Sequence, residues 1–118
     1  MEQNQFEVIR KDQDDVSILT IRGYLDAHTA PDFEKAIQEL LENKRYKIVV
    51  DFSELDYISS AGLGVFMGFI EDVRKNGGDI KLARLNERVF KIFDLLGFPN
   101  LYEIYENLDK AMEKFQLG

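Results

Sequence analysis

The apolar positions of this chain change period several times, and each change marks an element. Phe6 and Val8 alternate with polar neighbours, and the run from Val16 to Ile21 follows a turn at Asp12-Gln13-Asp14-Asp15, which predicts a β-hairpin. Gly23 breaks that alternation. Phe33, Ile37, Leu40 and Leu41 then share one helical face, with Thr29 as N-cap and Pro31 in the first turn, where its missing amide proton does no harm. Ile48, Val49 and Val50 form a continuous β-branched run, as in a strand covered on both faces, and a short polar elbow leads from it to Ser59 and Ser60. Both serines are N-cap candidates for the helix that follows, which Gly77-Gly78 closes in a left-handed turn. Ile80 and Leu82 alternate with charges in a fourth strand. Asn86 caps a helix striped by Val89, Ile92, Phe93 and Leu96 and stopped by Gly97 and Pro99. Leu101 to Tyr105 reads as a last strand, and Leu108, Ala111, Met112 and Phe115 mark a terminal helix. Strands alternating with helices after an initial hairpin imply right-handed β-α-β crossovers, hence an α/β fold with a mixed, mostly parallel sheet of about five strands and about four helices packed on it.

The helix after Ser60 has an unusual composition. At about 100° per residue, Leu63, Phe66, Met67, Ile70 and Val73 make a core stripe that Val65 and Phe69 widen on one side. Ala61, Gly64 and Gly68 cluster on the other side, at about 160°, 100° and 140° from Leu63. A glycine exposed in a helix costs about 1 kcal/mol against alanine. A helix face nearly free of side chains suits close approach by another protein.

The length of 118 residues fits one domain with a single core, spanning 1–118. No apolar run approaches the ~20 residues of a membrane span, and Met1-Glu2-Gln3-Asn4-Gln5 lacks a signal-peptide pattern. The chain has no cysteine, which removes disulfides and thiolate metal sites and fits a cytoplasmic protein. A net charge of −7 makes nucleic acid and anionic lipid poor partners and leaves another protein as the expected one.

Few residues offer chemistry. His28, the single histidine, could in principle accept a phosphoryl group as in a small phosphocarrier, although a lone histidine before a helix is more often a solvated or capping residue. Ser60, His28 and Asp26 supply the residue types of a hydrolytic triad, but the Gly-x-Ser-x-Gly elbow is absent and the chain is short for a substrate cleft. Gly62-Leu63-Gly64 is too short for a dinucleotide fingerprint, Gly77-Gly78 precedes a strand rather than a helix, and no His and carboxylate spacing suits a metal. Glu71-Asp72 and Glu113-Lys114 read as solvated helix faces. No cofactor is indicated. Ser59 and Ser60 read first as caps; the functional alternative is phosphorylation at a helix N-terminus, where amides and dipole favour added negative charge.

The residues Gly23-Tyr24-Leu25-Asp26-Ala27-His28-Thr29-Ala30, Val49-Val50-Asp51-Phe52, Tyr57-Ile58-Ser59-Ser60-Ala61-Gly62-Leu63-Gly64, Gly77-Gly78 and Phe93-Asp94-Leu95-Leu96-Gly97 resemble the bacterial anti-sigma factor antagonists. These are single STAS domains, a fold also found at the cytoplasmic end of sulfate transporters. The resemblance runs through nearly the whole chain in the same order and implies partner switching. The unphosphorylated antagonist binds an anti-sigma factor that is also a serine kinase, and so frees a sigma factor. Phosphorylation separates the pair, and a serine phosphatase resets it. Carried over by position, the phosphorylated serine falls on Ser60, with Ser59 as the lesser alternative. Ser59 stands where the family commonly carries aspartate, and Ala61 where it commonly carries Ser or Thr. Asp26, Ser59, Ser60, Ala61, Gly62, Gly64 and Gly68 are the expected partner-contacting residues. The resemblance thus implies a binding module, not an enzyme; a STAS scaffold that is never phosphorylated is the neighbouring reading.

Overall fold

The computed structural model describes residues 6–117. Strands β1 (Glu7–Gln13) and β2 (Val16–Leu25) form the expected antiparallel hairpin, with Asp14 in the left-handed region (φ 56°) at its turn. Three crossovers follow: α1 (Ala30–Glu42) into β3 (Lys47–Ile58), α2 (Ser60–Lys75) into β4 (Asp79–Ala83), and α3 (Glu87–Leu95) into β5 (Ile104–Tyr105); α4 (Leu108–Leu117) ends the described chain. The sheet order is β1-β2-β3-β4-β5, antiparallel at β1/β2 and parallel elsewhere.

The β-branched run sorts its side chains by the two-residue period of a strand. Ile48 and Val50 face the core beneath α1, α2 and α3, Val49 faces the one beneath α4, and all three are fully buried. On the first face α2 is seated by Phe66, whose ring lies 5.1 Å from Phe33, 5.7 Å from Phe52, 6.0 Å from Phe93 and 6.2 Å from Tyr102, centroid to centroid. That aromatic packing fixes the helix against the sheet. On the second face Val16, Ile18 and Val49 pack with Ala111 and Met112 of α4.

Four sequence expectations are corrected. There is no polar elbow after Val50: β3 runs on to Ile58, pairing Glu54, Leu55, Tyr57 and Ile58 with Arg22, Gly23, Tyr24 and Leu25 beyond the end of β4. Gly23 (φ 93°) sits at a register shift inside β2 rather than at its end. Such shifts scramble the alternation a sequence reading relies on. The last strand covers only Ile104–Tyr105, because a 3-10 turn at Phe98–Asn100 precedes it and leaves Leu101 exposed. Met67, assigned to the core stripe of α2, is 52% exposed, and Val65 is buried on the opposite flank of that stripe. The buried arc is rotated away from Met67. Gly77 closes α2 with φ 85°, whereas Gly78 is required for space: a Cβ there would overlap the Tyr46 carbonyl.

Candidate functional site

The start of α2 is held by the end of β2. Ser59 takes an extended conformation (φ −104°, ψ 176°) and donates its amide to the Leu25 carbonyl at 2.9 Å, while its own carbonyl accepts the Leu63 amide at 3.1 Å. The Ser59 hydroxyl makes no capping bond; its Oγ is buried with no hydrogen-bond partner among the described residues. The expected side-chain cap is therefore missing. Ser60, the first helical residue, is exposed. The first turn of α2 also lacks an acidic residue, unlike those of α1, α3 and α4, which carry Asp32, Glu87 and Asp109. The free amides and partial positive charge of this helix end thus meet no negative side chain from the helix itself.

Asp26 follows Leu25 directly, so the bond from Ser59 brings its loop beside the start of α2. Its carboxylate is engaged locally: Oδ1 accepts the amides of His28 at 2.9 Å and Thr29 at 3.3 Å. Thr29 occupies the cap position of α1 without making the cap bond expected of it. Its Oγ1 donates instead to the Tyr24 carbonyl at 2.7 Å and accepts the Asp26 amide at 2.9 Å. His28 is exposed, and it is its backbone amide, not its ring, that meets Asp26. Hydroxyl, imidazole and carboxylate are not aligned as a triad requires.

Along α2 the small residues divide by role. Ala61, Gly64 and Gly68 are exposed, and a Cβ added at Gly64 or Gly68 would meet nothing within 4 Å. Gly62 is different and is corrected here from a surface contact to an internal one. It is buried, and a Cβ would stand 2.7 Å from Leu25 Cγ and 3.0 Å from the Leu25 carbonyl oxygen. Its hydrogen lets α2 start against β2. Met67 is the large apolar side chain exposed beside the bare glycines.

Sequence reading also passed over two features. Tyr24 and Tyr57, paired across β2 and β3, are exposed with ring centroids 5.5 Å apart. Asp51 is 1% exposed and receives Thr20 Oγ1 at 3.1 Å, the Ser53 amide at 3.0 Å and the Arg84 guanidinium. The cation that pairs with Asp51 lies 33 residues away across a parallel strand pair, beyond the reach of any local pattern. Among the described residues no three His, Cys, Asp or Glu gather as a metal site, and no helix is long and apolar enough to cross a membrane.

Residues 7–111 match the STAS domain family. The chain is 31% identical over 106 residues to the anti-sigma-B factor antagonist of Listeria monocytogenes, covering 90% of this chain and 91% of that protein. It is 30% identical over 96 residues to the Bacillus subtilis protein of the same name, covering 81% and 86%. The fold is also that of the anti-sigma factor antagonist SpoIIAA in its unphosphorylated form, with a TM-score of 0.80 at 18% identity over 95% of this chain and 96% of that one. SpoIIAA in its phosphorylated form gives 0.72 at 17% identity, over 94% and 99%. The chain belongs to the STAS domain family, and the curated relatives it matches over most of their length are anti-sigma-B factor antagonists.

Proposed function

We propose that this protein is a cytoplasmic anti-sigma factor antagonist, a binding module rather than an enzyme. Unphosphorylated, it binds an anti-sigma factor that is also a serine kinase, and a sigma factor is released. Phosphorylation of Ser60 ends that binding, and a serine phosphatase restores it. The observation that carries this reading is the position of Ser60: exposed, first in a helix whose N-terminus has no side-chain cap and no first-turn acid, and next to a face left bare by Ala61, Gly64 and Gly68.

A phosphate adds a charge of about −1.5 to −2 and three acceptor oxygens. The amides at the start of α2 receive such a charge favourably, so the domain keeps its fold. The partner does not receive it. A surface packed closely on Ala61 and Gly64 has no room for a hydrated phosphate, and the nearby Asp26 loop adds like charge. Ser59 is the poorer acceptor because its Oγ is buried. Incubating the protein with its captured partner and ATP, followed by phosphopeptide mapping, tests the assignment. Phosphate on Ser60 supports it; phosphate on Ser59 or His28, or none, contradicts it.

A further inference from the structure

The two edges of the sheet are not alike. β5 offers 2 residues, whereas β1 is a 7-residue edge paired with β2 in unbroken register, from Glu7 opposite Arg22 to Gln13 opposite Val16. Among the described residues no strand lies along the outer side of β1. Sheet edges are commonly blunted by shortness, a proline, a bulge or charges, and β1 has only the charges. A two-residue turn joins Gln13 to Val16, so the alternation of an antiparallel ladder aims the backbone groups of Glu7, Ile9, Lys11 and Gln13 at β2. Those of Val8, Arg10 and Asp12 point outward, open to another strand.

The charges of β1 are complementary to a second β1. On the face that Val8 packs toward the core, Arg10 and Asp12 neutralise each other through two hydrogen bonds of 2.9 Å. On the α4 face, Glu7 and Lys11 stand two positions either side of Ile9, which is 43% exposed. A second β1 laid antiparallel about a twofold axis at Ile9 sets Glu7 opposite Lys11 on both sides of the axis, with the two Ile9 side chains in contact between them. The outward amides of Val8 and Arg10 then meet the Arg10 and Val8 carbonyls of the other copy. An axis at Arg10, Lys11 or Asp12 instead brings like charges together at its centre. We propose that two copies of this chain associate through β1 in the register centred on Ile9, joining their five-stranded sheets edge to edge.

The pairing uses no residue at the start of α2 and does not depend on the partner-switching reading. A single short strand pair is a small interface, so the dimer is weak and reversible. Sedimentation equilibrium of the full chain from about 10 μM to about 1 mM should show a monomer–dimer equilibrium. Lys11→Glu should weaken it about tenfold, by setting Glu7 against a like charge, and Glu7→Lys combined with Lys11→Glu should restore it to within about threefold of the parent. Arg10→Pro removes an amide that lies outside the β1–β2 ladder, so the variant should melt as a folded protein and stay monomeric. Should Arg10→Pro fail to fold, the charge reversals, which change exposed side chains, carry the test. Amide exchange at Val8 and Arg10, but not at Ile9, should slow as concentration rises. A monomer throughout, a dimer undiminished in folded Arg10→Pro, or a double reversal as weak as Lys11→Glu overturns the β1 pairing.

Discussion

Arg84 enters the left-handed region (φ 62°) and closes a two-pronged contact on Asp51, Nε to Oδ1 at 3.0 Å and Nη2 to Oδ2 at 2.7 Å. The pair ties the middle of β3 to the residue that follows β4, on the sheet face away from α2. Burial opposes the Asp51 charge, but the Arg84 hydrogen bonds and the Ser53 amide outweigh it and hold the carboxyl below its ordinary value. A carboxyl depressed in the fold contributes stability that is complete above the unfolded value of about 4 and is lost as pH falls through the lower folded value.

Arg84→Met leaves burial unopposed by a cation. The loss at neutral pH should be about 1–3 kcal/mol, below that of a fully buried pair because Arg84 is 43% exposed and screened. Acid unfolding should also begin at higher pH than in the parent, since the Asp51 carboxyl then titrates higher. Urea melts from about pH 2 to 7 check both. Coincident pH profiles for parent and variant would remove the pair from the stability account.

The glycines of α2 should respond in opposite senses. Gly64→Lys and Gly68→Glu should keep or slightly raise stability, by up to about 1 kcal/mol, because a side chain there meets nothing and either residue is a better helix former. Both should abolish partner binding. Gly62→Ala should destabilise by about 1–3 kcal/mol, because its methyl would push against Leu25. Thermal melts beside a binding assay separate the two roles. Normal binding by both surface variants would mean that the bare face is not an interface.

Ser59→Ala tests the missing cap. A working serine N-cap loses about 0.5–2 kcal/mol on this change. Here the hydroxyl is buried and unpartnered, so the variant should be as stable as the parent or more so, and should still be phosphorylated at Ser60. A clear loss of melting temperature would show that Ser59 Oγ does cap α2.

Much of this was legible locally. The Ile48-Val49-Val50 run announced a strand covered on both faces, Asn86 caps α3 by accepting the Val89 amide at 2.8 Å, and Gly97 ends α3 with φ 79°. Each depends on a few adjacent residues. The features that escaped depend on partners distant in sequence. β3 continues past Asp51 because β2 lies alongside it, Gly62 and Gly78 answer to Leu25 and Tyr46, and Met67 is exposed because the aromatic packing around Phe66 sets the rotation of α2. The exposure of Ala61, Gly64 and Gly68 was readable from their helical spacing. The local engagement of Asp26 by the amides of His28 and Thr29 was not, since it turns on the conformation of a loop.

Titration calorimetry of the proposed anti-sigma kinase partner with the parent, Ser60→Ala and Ser60→Asp addresses the proposed switch itself. Ser60→Ala should bind as the parent does. Ser60→Asp should melt like the parent, because a carboxylate suits the uncapped start of α2, yet bind about a hundredfold more weakly, since each 1.4 kcal/mol of uncompensated desolvation is a factor of ten. Equal affinity for Ser60→Asp and the parent would contradict a phosphorylation switch at Ser60.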